Sequence, residues 1–469
     1  MDRVLKIIYN DRYLLNDRYE MLLNGVHPSV ISYIQKFAGT NRDLDSIIQE
    51  IAAGNDNQDW SCFFRHANFL GYSNKYFTKE TIVKIEDIVD DNAIYLLPIE
   101  IGGSLADFVR DFVITVDGTT YNYKFIDTLD PKIVEYLKVG KVKLLINMIH
   151  DPLHSVDRVY QVEQYFKDCG IDGSNIIVIG GNNFQEYYQH KPDSKIKITY
   201  GYIMVQQAGD RLNHFPYISS LGYVSDAVRE ADLDNTKIRP KKFLCWNRTM
   251  RAHRYWLAYL MFKYGMSKNG YFSFLVPAGA GLHNAVSALI EYTHNTNISQ
   301  LFGNLIHSKL PIELDTHALN EQQKTGFTTN NNKKEFYLNS YVHITSETAF
   351  TEPFTSSPFF SEKTFHAMVN LQPFIYVGSP GALQQLKAWG IKTFHPFIDE
   401  SYDNEYDPVL RFQMIEKEIK KLNDMSLEQL HEWYYSITDI LIHNQNNLIS
   451  FSGTNPFEIA LKDIQKFYP

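Results

Sequence analysis

KKFLCWNRTMRAHRYWLAYLMFKYGM, residues 241–266, runs from an apolar stretch of strand length through an arginine-rich turn into a long amphipathic segment. Its first seven residues predict a buried strand, and residues 251–266 predict a helix with a broad apolar face. A strand that feeds directly into a helix is the repeating element of a parallel sheet. Ligands of such sheets bind beyond the carboxyl ends of the strands.

The same alternation extends both ways. Upstream, residues 92–100 and 141–150 are apolar runs, 157–170 is an amphipathic helix closed by Gly170, and 175–181 is another buried strand. Downstream, 309–315 and 340–347 read as strands, 361–370 as a short helix and 373–378 as a strand. The turn GSPG (378–381), the helix 382–389 with Gly390 as its cap, and IKTF (391–394) complete a further unit, and the tail from about 409 is helical. The charged, proline-containing stretch 229–242 marks a boundary. The expected fold is α/β, with two Rossmann-like doubly wound domains at 91–238 and 239–445 facing a cleft. A mainly helical N-terminal segment at 1–90 and a C-terminal helix at 446–469 flank them.

Bulk properties narrow the function. A length of 469 residues suits two domains, and 44% hydrophobic with 21% charged residues is a globular composition. The net charge of −9 disfavours nucleic acid as the main partner, because such binding displaces counterions with basic side chains. The cysteines Cys62, Cys169 and Cys245 form no CxxC pair and no even-numbered disulfide framework, which fits a reducing, cytoplasmic setting. The charged N-terminus lacks the apolar core of a signal peptide, and no apolar run is long enough for a membrane span. The 31 tyrosines and 30 phenylalanines suit cores and carbohydrate-facing surfaces equally.

Three clusters carry chemistry. In NRTMRAHR (247–254), Asn247 is followed by Arg248, Arg251 and Arg254, whose spacing of three spreads them over roughly a third of a helix circumference. A helix N-terminus attracts anions, and guanidinium forks match phosphate oxygens, so this is a candidate diphosphate clamp. A solvated basic face is an equally ordinary reading. In FFSEKTFH (359–366), Ser361 is a natural N-cap and places Glu362 and Lys363 in the first turn, with Thr364 behind them. Lysine opposes the helix dipole there unless it faces an anion, whereas Glu362 is suited to a ribose diol. The third cluster, TSET (345–348), has His343 before it and Glu352 after it, with Glu347 at the strand end; it suits a nucleoside or sugar, or merely local capping. The chain has no G-x-x-x-x-G-K-[ST] loop, no well-placed G-x-G-x-x-G and no metal-ligand signature. Leaving-group charge then falls to arginine and lysine, without metal or other cofactor.

The order strand, Asn/Arg helix start, then strand–TSET–SEKTF–strand–GSPG resembles the C-terminal, donor-binding half of GT-B glycosyltransferases. The likeness is to the α-1,3-fucosyltransferase and exostosin group and to phage and giant-virus relatives. It covers roughly 240–400, under half of the chain, and is firmest over 340–395. Ser361, Glu362, Lys363 and Thr364 match the acidic-lysine pair that opens the equivalent helix in fucosyltransferases. NRTMRAHR is richer in arginine than that pattern. The resemblance implies that Glu362 contacts the donor ribose, that Lys363 contacts its phosphates, and that one of Arg248, Arg251 or Arg254 also binds phosphate. It further implies a nucleotide-sugar donor and an acceptor hydroxyl on a glycan, lipid-linked or protein molecule, held by the N-terminal half.

Displacement at an anomeric carbon builds negative charge on the departing diphosphate, so preorganised cations supply much of the catalysis. An inverting enzyme also needs a base near the acceptor hydroxyl. Glu100, His150 and Asp151, at the ends of N-terminal strands, are the candidates, although each singly also suits a structural turn. Two other functions share the donor half: a transferase acting on bases of viral DNA, and a non-catalytic nucleotide-binding or assembly protein.

Overall fold

A computed structural model of the chain describes residues 3–8, 82–83, 85–89, 92–100, 105, 112–116, 119–149, 153, 155–213, 227–247, 251–274, 282–309, 312, 334–350, 358–452 and 454–469. They belong to an α/β protein of two compact units. One comprises Met1–Ile203 and Thr454–Pro469, the other Met204–Pro353 and Ser357–Gly453.

The first unit is built on strands β1 (Leu5–Ile8), β2 (Ile82–Val83), β3 (Ile94–Glu100), β6 (Val142–Met148), β7 (Ile176–Gly180) and β8 (Lys197–Tyr200). They form one sheet in the order β2-β1-β3-β6-β7-β8, and every pairing is parallel. A separate antiparallel pair joins β4 (Phe112–Val116) to β5 (Thr119–Tyr123). Helices α1 (Pro131–Lys138) and α2 (Val156–Asp168) precede β6 and β7. The carboxylate of Asp130 and the hydroxyl of Ser155 start them by accepting from Lys132 N and Arg158 N. The burial of every residue of β7, and of all of β6 but Lys143, follows from a parallel sheet covered on both faces.

The second unit holds β9 (Lys241–Asn247), β10 (Gly270–Phe274), β11 (Ser340–Ser346) and β12 (Phe374–Val377), all parallel in the order β10-β9-β11-β12. Its helices are α3 (Ile203–Leu212), α4 (Ala252–Lys263), α5 (Leu282–Thr293), α6 (Thr296–His307), α7 (Glu362–Val369), α8 (Ala382–Ala388), α9 (Pro408–Asp424), α10 (Leu427–Ser436) and α11 (Thr438–Ser450). Register places Asn247 opposite Phe274 and Ser346 opposite Val377, so the strands end along one edge. Helices α4, α7 and α8 leave from that edge.

Three expectations about boundaries change. Leu5–Ile8 is a strand of the first sheet, paired with β3, so the N-terminal stretch contributes to the sheet instead of standing apart as helix. Four residues are too short for periodicity to separate a strand from a helical turn. The stretch 229–242 is no linker: Arg239 donates to the carbonyls of Tyr337 (3.2 Å) and Ser340 (2.7 Å) and lies 3.9 Å from the Tyr434 ring centroid. Gln445 also holds the carbonyl of Val228 at 2.9 Å, and the unit begins at Met204. Asp232, Arg239 and Lys242 are engaged with other parts of the fold, which composition alone reads as solvation. Finally, α11 stays with the second unit. The last helix, α12 (Glu458–Phe467), packs on β8 of the first, where Thr199 Oγ1 donates to Asp463 Oδ2 at 2.9 Å.

Of the other expected elements, Ile312 makes only an isolated bridge to Phe274, and IKTF (391–394) forms no strand. No described helix is long and apolar enough to cross a membrane.

Candidate functional site

The carboxyl edge of the second sheet brings together three helix starts, and their chemistry differs. Helix α7 begins at Ser361, whose hydroxyl accepts from Lys363 N at 3.3 Å. Further donors at this end are taken by Glu347, a fully buried side chain just beyond β11. Glu347 Oε2 accepts from Ser361 N (3.1 Å) and Thr348 N (3.1 Å), and Oε1 accepts from Thr364 N at 3.2 Å and from the Thr364 hydroxyl. Helix α8 repeats the device. Gly381, in the left-handed region at φ 77°, turns the chain, and Asp403 accepts from Leu383 N (3.0 Å) and Gln384 N (3.1 Å). Both positive helix ends are thus matched by carboxylates of the protein itself.

Helix α4 is different. Its N-cap is Arg251, in extended backbone geometry, and no side chain caps it. The helix starts at Ala252, so the three arginines do not share a helical face as their spacing predicts: Arg251 precedes the helix and only Arg254 lies within it. Extended geometry at position 251 aims Arg251 independently of the helix, and its Nε is buried with no hydrogen-bond partner among the described residues. Arg248 lies outside the described residues.

Arg254 is only 2% exposed. Its Nε donates to Ser346 Oγ (3.2 Å), and Nη2 donates to the carbonyls of Ser346 (3.3 Å) and Glu347 (3.0 Å). Burial and the neighbouring charge of Arg251 lower its pKa to about 10, with Glu347 and Glu362 opposing, so it stays protonated at neutral pH. His253 is buried and its Nε2 donates to the same Glu347 carbonyl at 3.0 Å. Desolvation, reinforced by Arg254, holds its pKa well below the usual value, so the ring is neutral. Arg254 and His253 therefore lock α4 to the end of β11.

Glu362 and Lys363 are paired: Lys363 Nζ donates to Glu362 Oε1 at 2.6 Å and to Ser361 Oγ at 3.4 Å. Burial pushes the Glu362 pKa up, but the charges of Lys363 and His366 and the Lys363 hydrogen bond outweigh it and hold the carboxyl at about 2. Asn247 ends β9 and is buried; its Nδ2 donates to Cys245 Sγ at 3.1 Å, and its Oδ1 has no partner among the described residues. Burial pushes the Cys245 thiol up to about 12, which makes it an unreactive neighbour.

The predicted residues accordingly divide. Asn247, Arg251, Arg254, Glu347, Ser361, Glu362, Lys363 and Thr364 gather on this edge, with Ser361, Thr364, Glu347 and Arg254 engaged in holding the helices. His343 lies four positions before Glu347, about 13 Å down the strand at the usual rise. It is buried against Tyr337, with Nδ1 at 2.8 Å from Thr345 Oγ1 and a pKa lowered to about 3 by burial. Glu100 is the last residue of β3, opposite Asn147. His150, Asp151 and Glu352 lie outside the described residues.

Two residues escaped the sequence reading. The Ser379 hydroxyl, in the turn after β12, is buried and unpartnered among the described residues. Asn147, at the carboxyl end of β6, has its Oδ1 on Ile149 N (3.2 Å) and its Nδ2 unpartnered among the described residues. Their positions just after or at the end of a buried run were the available signal. Comparison with protein-family models, curated proteins and solved structures finds no match to this chain.

Proposed function

We propose that the chain is a metal-independent GT-B-type glycosyltransferase that holds the diphosphate of a nucleotide-sugar at the β9–α4 junction. The observation that carries this reading is Arg251: a guanidinium whose buried Nε has no partner among the described residues, at a helix start that none of their side chains caps. A diphosphate placed there accepts from Arg251 and from the amides of the first turn of α4, and it gains from the helix dipole. Lys363 supplies a second cation. Glu362, held ionised down to a pH of about 2, is a permanent acceptor for the ribose hydroxyls.

The reaction in this reading is direct displacement. The acceptor oxygen bonds to the anomeric carbon as the bond to the diphosphate oxygen breaks, and the acceptor proton passes to a base. Arg251 and Lys363 stabilise the charge that accumulates on the leaving group. The base is sought among Glu100, His150 and Asp151. A glycan, lipid-linked or protein hydroxyl is the acceptor, because the net charge of −9 disfavours a DNA duplex.

The test is a panel of nucleotide-sugars, read as nucleoside diphosphate released with and without acceptor, on the wild type and Arg251→Ala. One donor should be turned over, and the variant should lose both binding and turnover. No donor bound by the wild type would sink the reading; binding without turnover would leave a nucleotide-binding protein without transfer.

A further inference from the structure

The first unit contains a second charged site, at the opposite end of its strands. A cavity of about 150 Å³ opens among Arg3, Lys141, Lys143, Gly140, Tyr95 and Tyr468. Arg3 precedes β1, and Gly140 and Lys141 precede β6, so the cavity belongs to the amino-terminal edge of the first sheet. The second unit, with Arg251, contributes nothing to it.

Three cations and two tyrosines line this space, and none of its lining residues among the described ones is acidic. Arg3 is held rigidly: Nε donates to the Asn92 carbonyl at 3.1 Å and Nη2 to the Ala93 carbonyl at 3.2 Å. Its remaining N–H hydrogens have no acceptor among the described residues. Lys143 Nζ donates to the neutral Asn175 Oδ1 at 2.6 Å and sits 4.7 Å from the centroid of Tyr468, whose hydroxyl is tied to the Ser174 carbonyl at 2.6 Å. Among the described residues, no carboxylate comes within ion-pair distance of Arg3 or Lys143. Burial, then the charge of Arg3, lower the Lys143 pKa; Asp172 opposes them but is itself paired with Lys195 at 2.9 Å. Two neighbouring cations with no counter-ion among the described residues repel, and an anion between them removes that cost. Gly140 completes the wall: at φ 74° it takes a left-handed turn, and a side chain there would meet Asn175 Oδ1 at 3.0 Å, disturbing the partner of Lys143.

We infer that this cavity is a binding site for a phosphate group, carried by a compact phosphorylated small molecule. The volume decides the size of the ligand. It is well below the roughly 300–1,000 Å³ of pockets that take drug-sized molecules, so a whole nucleotide-sugar does not fit. Arg3 presents a planar donor fork and Lys143 a point charge, which together match a phosphate monoester. Tyr95 and Tyr468 enclose it from the sides.

The experiment is titration of the full-length chain with inorganic phosphate and pyrophosphate by calorimetry, in an Arg251→Ala background so that heat from the second unit is removed. Saturable one-to-one binding is expected. It should weaken at least about tenfold in Arg3→Met and in Lys143→Met, and survive in Lys143→Arg. Unchanged thermal unfolding of the Lys143→Arg protein, with its binding retained, shows that loss in Lys143→Met reflects charge and not misfolding. Absence of saturable binding, or binding indifferent to both methionine variants, overturns the inference. Neither result bears on donor turnover by the wild-type protein, so the two proposals fail separately.

Discussion

Helices α4 and α7 leave the same edge of one sheet, and each begins with a cationic residue in or beside its first turn, yet they solve opposite problems. At α7 the positive end is closed by Glu347, and Lys363 is folded onto Glu362. At α4 the end is open and the residue standing over it is Arg251, with a buried donor unpartnered among the described residues. The protein matches one helix end with its own anion, and the proposed function gives the other an anion from outside. Ligand charge should therefore be felt most at α4, although the motif SEKTF at α7 is the more recognisable.

The largest effect expected of this contrast is on stability. Glu347→Ala strips three donors at the start of α7, and Thr348 N after β11, of their acceptor, and such a buried loss costs about 3–5 kcal/mol. Urea unfolding should show it, with Glu347→Gln losing less. An Ala variant within 1 kcal/mol of wild type would mean that α7 is not held by its carboxylate. On binding, the order reverses. Arg251→Ala should weaken nucleoside diphosphate affinity by about 10–100-fold while changing stability little, because it removes a charge-assisted hydrogen bond to the ligand and no hydrogen bond to a described side chain. Lys363→Ala should cost less than about tenfold, since Lys363 already has a partner. Equal losses at the two positions would erase the distinction between the helices.

The smallest effects are in pH dependence. His343 has its folded pKa lowered from 6.5 to about 3, so the unfolded chain binds the proton first. Stability is then lost as pH falls from about 6.5 towards 3, and His343→Gln should flatten that part of the curve. Glu362 is depressed from 4.5 to about 2; its contribution is present above 4.5 and lost as pH falls towards 2. Glu362→Gln should remove only this lower step. A single shared slope, unaltered by either change, would contradict both assignments.

The sheets were legible where strands are buried on both faces. LLIN, IIVIG, FLC and FIYV are continuous apolar runs, and β6, β7, β9 and β12 fall on them. Strand β8 (KITY) was missed because it is short and half polar, and strand β10 (GYFSF) because it is short and opens on a glycine. The site was legible in its residue types and in its place at strand–helix junctions. Which donors are spent was not, because that depends on partners distant in sequence: Glu347 lies 14 residues before Ser361, and Arg254 lies 92 residues before Ser346. Spacing also misplaced the arginines, since one residue of extended backbone at Arg251 separates them from a common face.

The return of α12 to the first unit has a consequence for how the protein is made. Residues 454–469 leave the ribosome after the whole of the second unit, yet they cover β8 and supply the Tyr468 wall beside Lys143. Domains generally fold in the order of their synthesis, N-terminal first. Here the N-terminal sheet must wait, with its β8 side uncovered, until residues 454–469 emerge. A chain that loses residues 454–469 would thus release a finished second unit attached to an unfinished first one.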